Sequence, residues 1–188
     1  MKDNQTIYAI LGLLHHEPLS GYDIRKRIEN SIGYFWDAGY GQIYPSLRKM
    51  TVAGLVTSET ERNEGRPDKK IYSLTEKGRI ELRKWLEEPA TREHVRYEIL
   101  LKLFFGSLIP AARNLETVEN FRARYAEKLA RLEEYGRNLR RVLGEDQDHL
   151  YYYLTVLFGQ HVYRAYLDWA DQAGDLLKGA TFEVEPKN

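Results

Sequence analysis

Between about Asn114 and Leu143 one apolar position returns every seventh residue, at Val118, Tyr125, Leu132 and Leu139. A companion position follows at Phe121, Lys128, Tyr135 and Val142, broken only by Lys128, with Leu129 beside it. A seven-residue repeat held over four heptads predicts a long helix with a coiled-coil-like seam that another helix must cover. Gly144-Glu145-Asp146 ends this run. A last helix is expected from about Asp148 to Leu177, with Leu154, Phe158, His161, Ala165 and Trp169 along one stripe. A shorter one is expected over Val95 to Ser107, where Ile99, Leu100, Leu103 and Phe104 are apolar and Gly106 and Pro110 stop it. Together these helices carry more apolar surface than one small bundle buries. A second copy of the chain is the simplest cover.

The residues before Glu88-Pro89 have a different texture. The charged, proline-containing stretch Glu87 to Thr91 reads as a linker, dividing the chain into domains 1–88 and 89–188. In the first domain Ile7, Ile10, Leu11 and Leu14 recur on one helical face, and Glu17-Pro18 ends that helix. Ser20 with Asp23 three residues on resembles a capping box for a second helix, Gly21 to about Ser31, that buries Ile24 and Ile28. The glycine-rich aromatic stretch Gly33 to Gly41 reads as a connection. A third helix follows from about Gln42 to Ala53, with Pro45 early in it and Gly54 in the C′ role. Its buried stripe is Ile43, Leu47 and Met50, within roughly 60° of one another at 100° per residue. The period then changes. Leu55 to Thr60 and Lys70 to Leu74 are strand-like, and the polar turn Arg62 to Lys69 joins them into a hairpin with a charged tip. Thr75 caps a fourth helix through Trp85 and Leu86. The predicted fold is mainly α with a small β-hairpin: an N-terminal winged helix-turn-helix domain and a C-terminal, long-helix dimerisation domain.

Composition excludes several classes of function. Lys and Arg number 28 against 28 Asp and Glu in 188 residues, so the chain is neither a basic nucleic-acid packer nor an acidic tail. There is no Cys, hence no disulfide, thiolate metal site or Cys nucleophile. The five His form no HExxH pair, Ser20-Gly21 lacks the preceding glycine of a nucleophile elbow, and no phosphate loop is present. Neither catalysis nor a metal or cofactor is expected. The polar start and the short apolar stretch Ile7 to Leu14 predict a cytoplasmic protein without a membrane span.

Five blocks carry a resemblance. Tyr8-Ala9-Ile10-Leu11-Gly12-Leu13-Leu14, Leu19-Ser20-Gly21-Tyr22-Asp23-Ile24, Gln42-Ile43-Tyr44-Pro45-Ser46-Leu47-Arg48-Lys49-Met50, Gly54-Leu55-Val56 and Gly65-Arg66-Pro67-Asp68-Lys69-Lys70-Ile71-Tyr72-Ser73-Leu74-Thr75 stand at intact spacing over about 70 residues. Together they resemble the PadR family of bacterial transcriptional regulators. Ser31-Ile32-Gly33-Tyr34-Phe35-Trp36 is similar to members near the phenolic-acid repressors and AphA-type virulence activators. The helical second half, through Val95-Arg96-Tyr97-Glu98 and Leu100-Leu101-Lys102, resembles that longer branch's C-terminal dimerisation domain. Gly39-Tyr40-Gly41 departs from it, since relatives are more polar there.

The resemblance implies a homodimer, joined through its C-terminal helices, that sets two winged helices on a palindromic operator in double-stranded DNA. Helix three would enter the major groove and the wing would reach the neighbouring groove or backbone. The implied DNA-binding residues are Gln42, Tyr44, Pro45, Ser46, Arg48 and Lys49 on helix three, with Arg66, Lys69 and Lys70 on the wing. Gln suits adenine, Arg or Lys suits guanine, and Tyr44 suits a phosphate or a thymine methyl. Lys69→Ala is expected to lower the salt slope of binding by about one. The first domain holds 14 basic and 13 acidic residues, a weak electrostatic footprint. The 14 Tyr and 3 Trp admit two readings, as fillers of core and interface or as walls of an effector pocket. For the latter the candidates are Trp36, Tyr97, His161, Arg164 and Trp169, with His161 and Arg164 meeting a carboxylate on a small aromatic effector. The expected function is a dimeric, sequence-specific regulator, a repressor in the first reading. The alternatives are an activator that needs a partner regulator, or a helical interaction module without a DNA target.

Overall fold

The structure, a computed structural model, describes residues 5–36, 40–61, 69–89 and 96–179. The chain divides into two compact units, Met1–Arg92 and Glu93–Asn188.

In the first unit, α1 (Thr6–His16) is followed by the two-residue strand β1 (Leu19–Ser20) and α2 (Gly21–Arg27). Ser20 ends β1 and begins α2. Its hydroxyl accepts from the Asp23 N–H at 3.2 Å and donates to the Asp23 carboxylate at 2.7 Å, while its own N–H also reaches that carboxylate, completing the capping box. The helix does not run evenly to Ser31 as expected. It widens into a π-helical turn, Ile28–Ile32. Next come α3 (Tyr40–Val52), β2 (Val56–Glu61), β3 (Lys69–Leu74) and α4 (Glu76–Glu87). Gly54 closes α3 at φ +70°, where a Cβ would be strained. The Thr75 hydroxyl caps α4 by accepting from the Gly78 N–H at 3.0 Å.

β2 and β3 pair antiparallel from Val56 opposite Leu74 to Glu61 opposite Lys69. The expected two-stranded ribbon is in fact three-stranded, because Leu19 and Ser20 add to the other edge of β3, opposite Tyr72 and Ile71. An open edge of β3 offers unpaired backbone groups, and a two-residue segment is enough to take some of them. Ile10, Leu11, Ile24, Ile43, Leu47 and Met50 form the centre of the core. Tyr8 stacks on Trp85 with ring centroids 4.5 Å apart, fixing α1 to α4. The unit is a winged helix-turn-helix.

The second unit holds α5 (Glu98–Phe104), a 3₁₀ turn (Gly106–Leu108), α6 (Ala111–Arg141) and α7 (Gln147–Lys178). α6 and α7 pack side by side as a helical hairpin. The heptad residues Val118, Leu132 and Leu139 are buried, so the seam is covered by α7 of the same chain. Lys128, which breaks the repeat, lays its Nζ 5.0 Å from the centre of the Tyr125 ring. Burial, and then Arg124, hold that ammonium below its ordinary range.

One expectation is corrected here. On α7 the face turned to α6 carries Val156, Gly159, Gln160, Tyr163, Ala170 and Gly174. The stripe expected to be buried lies elsewhere: Leu154, Phe158, His161 and Ala165 are exposed, and Trp169 is half-buried at its edge. Both faces of α7 are apolar enough to be cores. The tight approach between the two helices is at Gly136 of α6. Opposite Gly136 of α6 the Gln160 amide donates to the Leu132 carbonyl at 3.0 Å, and a Cβ at Gly136 would come within 2.5 Å of that amide nitrogen. Among the described residues no helix is long and apolar enough to cross a membrane.

Candidate nucleic-acid interface

α3 presents two faces with different chemistry. Ile43, Ser46, Leu47 and Met50 face the core and are buried. Gln42, Tyr44, Pro45, Arg48 and Lys49 are exposed on the other side. Ser46 therefore leaves the expected DNA-facing set: it is fully buried, since three residues after Ile43 and four before Met50 the helix turns it inward.

Two of the exposed residues, Tyr44 and Gln42, are positioned by neighbouring elements. The Tyr44 ring, 56% exposed, lies over the first residue of α2, so that a Cβ on Gly21 would stand 2.6 Å from Tyr44 Cε1. Glycine is required there to let the ring settle on the backbone. Tyr72 of β3 lies under the same cluster. Burial pushes its phenol up, the Tyr44 phenol adds to the effect, and the Arg48 guanidinium acts the other way. The Thr6 hydroxyl of α1 donates to Oε1 of Gln42 at 3.2 Å. Lys77 of α4 donates to the Ala53 carbonyl at 2.8 Å, satisfying the C-terminal end of α3. The Thr6 and Lys77 bonds, and the contact that Asp23 makes with Lys69 beyond its capping box, carry no signal in the sequence. They span between 24 and 46 positions, and no local period marks them.

The wing residues fare differently. Arg66, with Gly65 and Pro67, lies outside the described residues. Lys69 is not a free cation, because its Nζ lies 2.8 Å from Asp23 Oδ2. Lys70 is exposed, its Nζ 5.7 Å from the Tyr72 ring centre.

The candidate effector residues fall in both units, and those of the second unit do not form one cluster. Trp36 belongs to the first unit, where it packs on the core with its indole N–H buried and unpartnered among the described residues. In the second unit the Tyr97 and Tyr166 hydroxyls meet at 2.7 Å. Phe121 joins them, with its ring 5.7 Å from Tyr166 and 5.5 Å from Trp169. Burial, and then the bond with Tyr97, push the Tyr166 phenol far up. Arg164 instead pairs with Glu133 of α6 at 2.7 Å. It lies about 140° around α7 from Trp169 at 3.6 residues per turn. His161 lies on the outer stripe. Tyr97 and Trp169 thus share a flank, and Arg164 does not.

Residues 10–84 match the family model described as the transcriptional regulator PadR-like family. Residues 95–178 match that of the virulence activator alpha C-term. The negative transcriptional regulator PadR of Bacillus subtilis is 43% identical over 103 residues, 54% of this chain and 57% of that protein, so the match spans little more than half of it. A probable transcriptional regulator of Mycobacterium tuberculosis is 31% identical over 185 residues, 91% of this chain and 96% of that one. Among solved structures, a Streptococcus mutans protein superposes with a TM-score of 0.80 at 30% identity, covering 90% of this chain and 98% of that one. Bacillus subtilis PadR in complex with operator DNA superposes at 0.76 and 29% identity, covering 93% and 99%. The same protein in complex with p-coumaric acid gives 0.72, covering 93% and 99%. With both units matched and one regulator aligned along nearly its whole length, this chain belongs to the PadR-like family of transcriptional regulators, proteins that control transcription rather than catalyse a reaction.

Proposed function

We propose that the protein is a homodimeric repressor that binds a palindromic operator through the outer face of α3 and the wing. The observation that carries this reading is the division of α3. Its inner face is locked into the core, and its outer face offers Gln42, Tyr44, Arg48 and Lys49 in a unit related to a protein crystallised on operator DNA. Arg48 and Lys49 suit guanine or phosphate, Tyr44 suits a phosphate or a thymine methyl, and Pro45 packs against the backbone. Lys70 supplies a phosphate contact on the wing, and Arg66 is proposed as another.

Dimerisation through the C-terminal helices is supported by the apolar side chains the second unit leaves in solvent. Leu154, Phe158 and Leu176 line the outer stripe of α7, and Phe104 at 82% exposure and Leu108 project from α5 and the turn after it. Surface of this kind marks an interface. An isologous pairing buries it twice over.

Release by a small aromatic acid is supported by the relative that binds p-coumaric acid and by the Tyr97–Tyr166–Phe121–Trp169 cluster, where two hydroxyls border aromatic walls. Such a ligand acts as an inducer only if it binds the DNA-free state more tightly. A second reading, an activator working with another regulator, is favoured by the match of residues 95–178 to a virulence-activator domain.

A gel-shift titration tests the first claim. Tyr44→Ala and Lys49→Ala are expected to weaken operator binding while the dimer stays folded. Unchanged affinity for both removes α3 from the interface. A protein that retains no promoter DNA at low salt would be a helical interaction module instead.

A further inference from the structure

Thr6 is buried in the first turn of α1, 3% exposed, between an exposed Gln5 and a buried Ile7. Its hydroxyl donates to Oε1 of Gln42, 36 positions along the chain. We infer that Thr6 is a positioning residue that decides which end of the Gln42 amide faces DNA, so that Gln42 reads a base through its N–H groups alone. The inference rests on the reading that the outer face of α3 enters a major groove.

A glutamine amide has one acceptor end and one donor end. An unrestrained side chain offers either, and the paired reading of adenine uses both: Oε1 accepts from N6–H and Nε2 donates to N7. Here Oε1 is turned toward α1. Thr6 is β-branched and helical, so its χ1 is restricted. Its backbone is held by a helix whose next residues, Ile7 and Ile10, are core. The hydroxyl oxygen is therefore fixed on the inner side of Gln42, where it donates to Oε1, and the amide nitrogen is the end left for a ligand. Two N–H donors match edges that carry acceptors, guanine N7 and O6 or thymine O4. They do not complete the adenine pair that the residue type alone suggests. The second atom of the readout thus lies in a different helix from the side chain that touches DNA.

The full-length protein, offered a pool of randomised duplexes, supplies its preferred site. Affinity is then measured on every single base-pair replacement of that site, for wild type, Thr6→Val, Thr6→Ser, Gln42→Ala and the double variant Thr6→Val/Gln42→Ala. Gln42→Ala is expected to make the protein indifferent at one base pair per half-site. Thr6→Val is expected to shift preference at that same pair toward adenine by about fivefold or more, the low end of what one paired contact is worth. It should leave other positions alone and be silent once Gln42 is gone, and Thr6→Ser should keep the wild-type profile. Thr6→Ala should give the same shift as Thr6→Val, which keeps the test open if one replacement disturbs α1.

A Thr6→Val effect that is uniform over all duplexes, or that persists without Gln42, makes Thr6 a plain structural tie and overturns the proposal. So does a wild-type preference for adenine at that pair. If Gln42→Ala, Tyr44→Ala and Lys49→Ala all bind as wild type, it is the placement of α3 on DNA that has failed, and the inference falls with it.

Discussion

Lys69 at the start of β3 holds its ammonium 2.8 Å from the carboxylate of Asp23 in the first turn of α2. The turn-side end of β3 is thus tied to α2, through the same carboxylate that completes the Ser20 capping box. Lys69, expected to meet phosphate, joins β3 to α2 through this pair.

That pair makes stability depend on pH at both ends. The Asp23 carboxyl is held below the usual carboxylate range, first by the bond from Lys69 and then by the Ser20 hydroxyl, with burial opposing. The Lys69 ammonium is held above its ordinary range, first by its bond to Asp23. A depressed carboxyl contributes stability above its unfolded value of about 4, lost as pH falls through the folded value. A raised ammonium contributes stability below its unfolded value of about 10.4, lost as pH rises through the folded one. The melting-temperature gap between wild type and Asp23→Asn is expected to be widest between about pH 4 and about pH 10 and to close outside that window. A gap that stays constant into strong acid would show that the pair contributes nothing.

Gly21→Ala should act on DNA binding through Tyr44. Its new Cβ would stand 2.6 Å from the Tyr44 ring, which is the movable end of an exposed side chain, so the ring shifts and the fold survives. Operator affinity is expected to fall by about as much as in Tyr44→Ala, roughly fivefold or more for one lost contact. Combined with Tyr44→Ala the glycine replacement should add nothing, and calorimetry should show little change in melting temperature.

Salt dependence separates the basic residues. Lys49→Ala and Lys70→Ala are each expected to lower the slope of log K against log salt by about 0.9, one phosphate each. Lys69→Ala should lower it by less, because Lys69 already has Asp23 for a counterion. Equal slopes for Lys69→Ala and Lys70→Ala would mean that the ion pair opens on DNA.

Phe158→Glu places a charge on the outer stripe of α7, at a side chain now 63% exposed. In sedimentation the variant is expected to run as a folded monomer. Its operator affinity should drop by about 100-fold or more, since the second half-site no longer arrives tethered to the first. A dimer that survives this change uses another surface.

Gly136→Ala tests the packing of α6 on α7. Its Cβ would meet the Gln160 amide at 2.5 Å in a buried seam. Overpacking of this kind costs about 1–3 kcal/mol. Urea unfolding should show that loss, and Gln160→Ala in the same background should recover part of it.

Much of the fold is legible because its signals are local. α1, α3 and α4 follow from apolar residues three and four apart, Ser20 marks the start of α2, Gly54 the end of α3 and Thr75 the start of α4. β1 is not legible, since two residues make no alternation and pair only because β3 has an open edge. The π-helical turn at Ile28–Ile32 likewise leaves the apolar spacing nearly unchanged. In the site, the outward set Gln42, Tyr44, Pro45, Arg48 and Lys49 can be read from helical phase, whereas Ser46, contiguous with them in the motif, turns inward.

Periodicity alone determined that α6 is long, that it carries an apolar seam, and which side of α3 is polar, because each of these depends on residues within two turns of one another. Only the tertiary structure decided that α7 of the same chain covers that seam, that Gly159 and Gly174 rather than Leu154 and Phe158 face it, and that Lys69 and Gln42 are held by Asp23 and Thr6. An apolar or polar side chain announces that it needs a partner. Which partner it finds depends on how closely two distant backbones can approach, and that is settled by packing rather than by spacing along the chain.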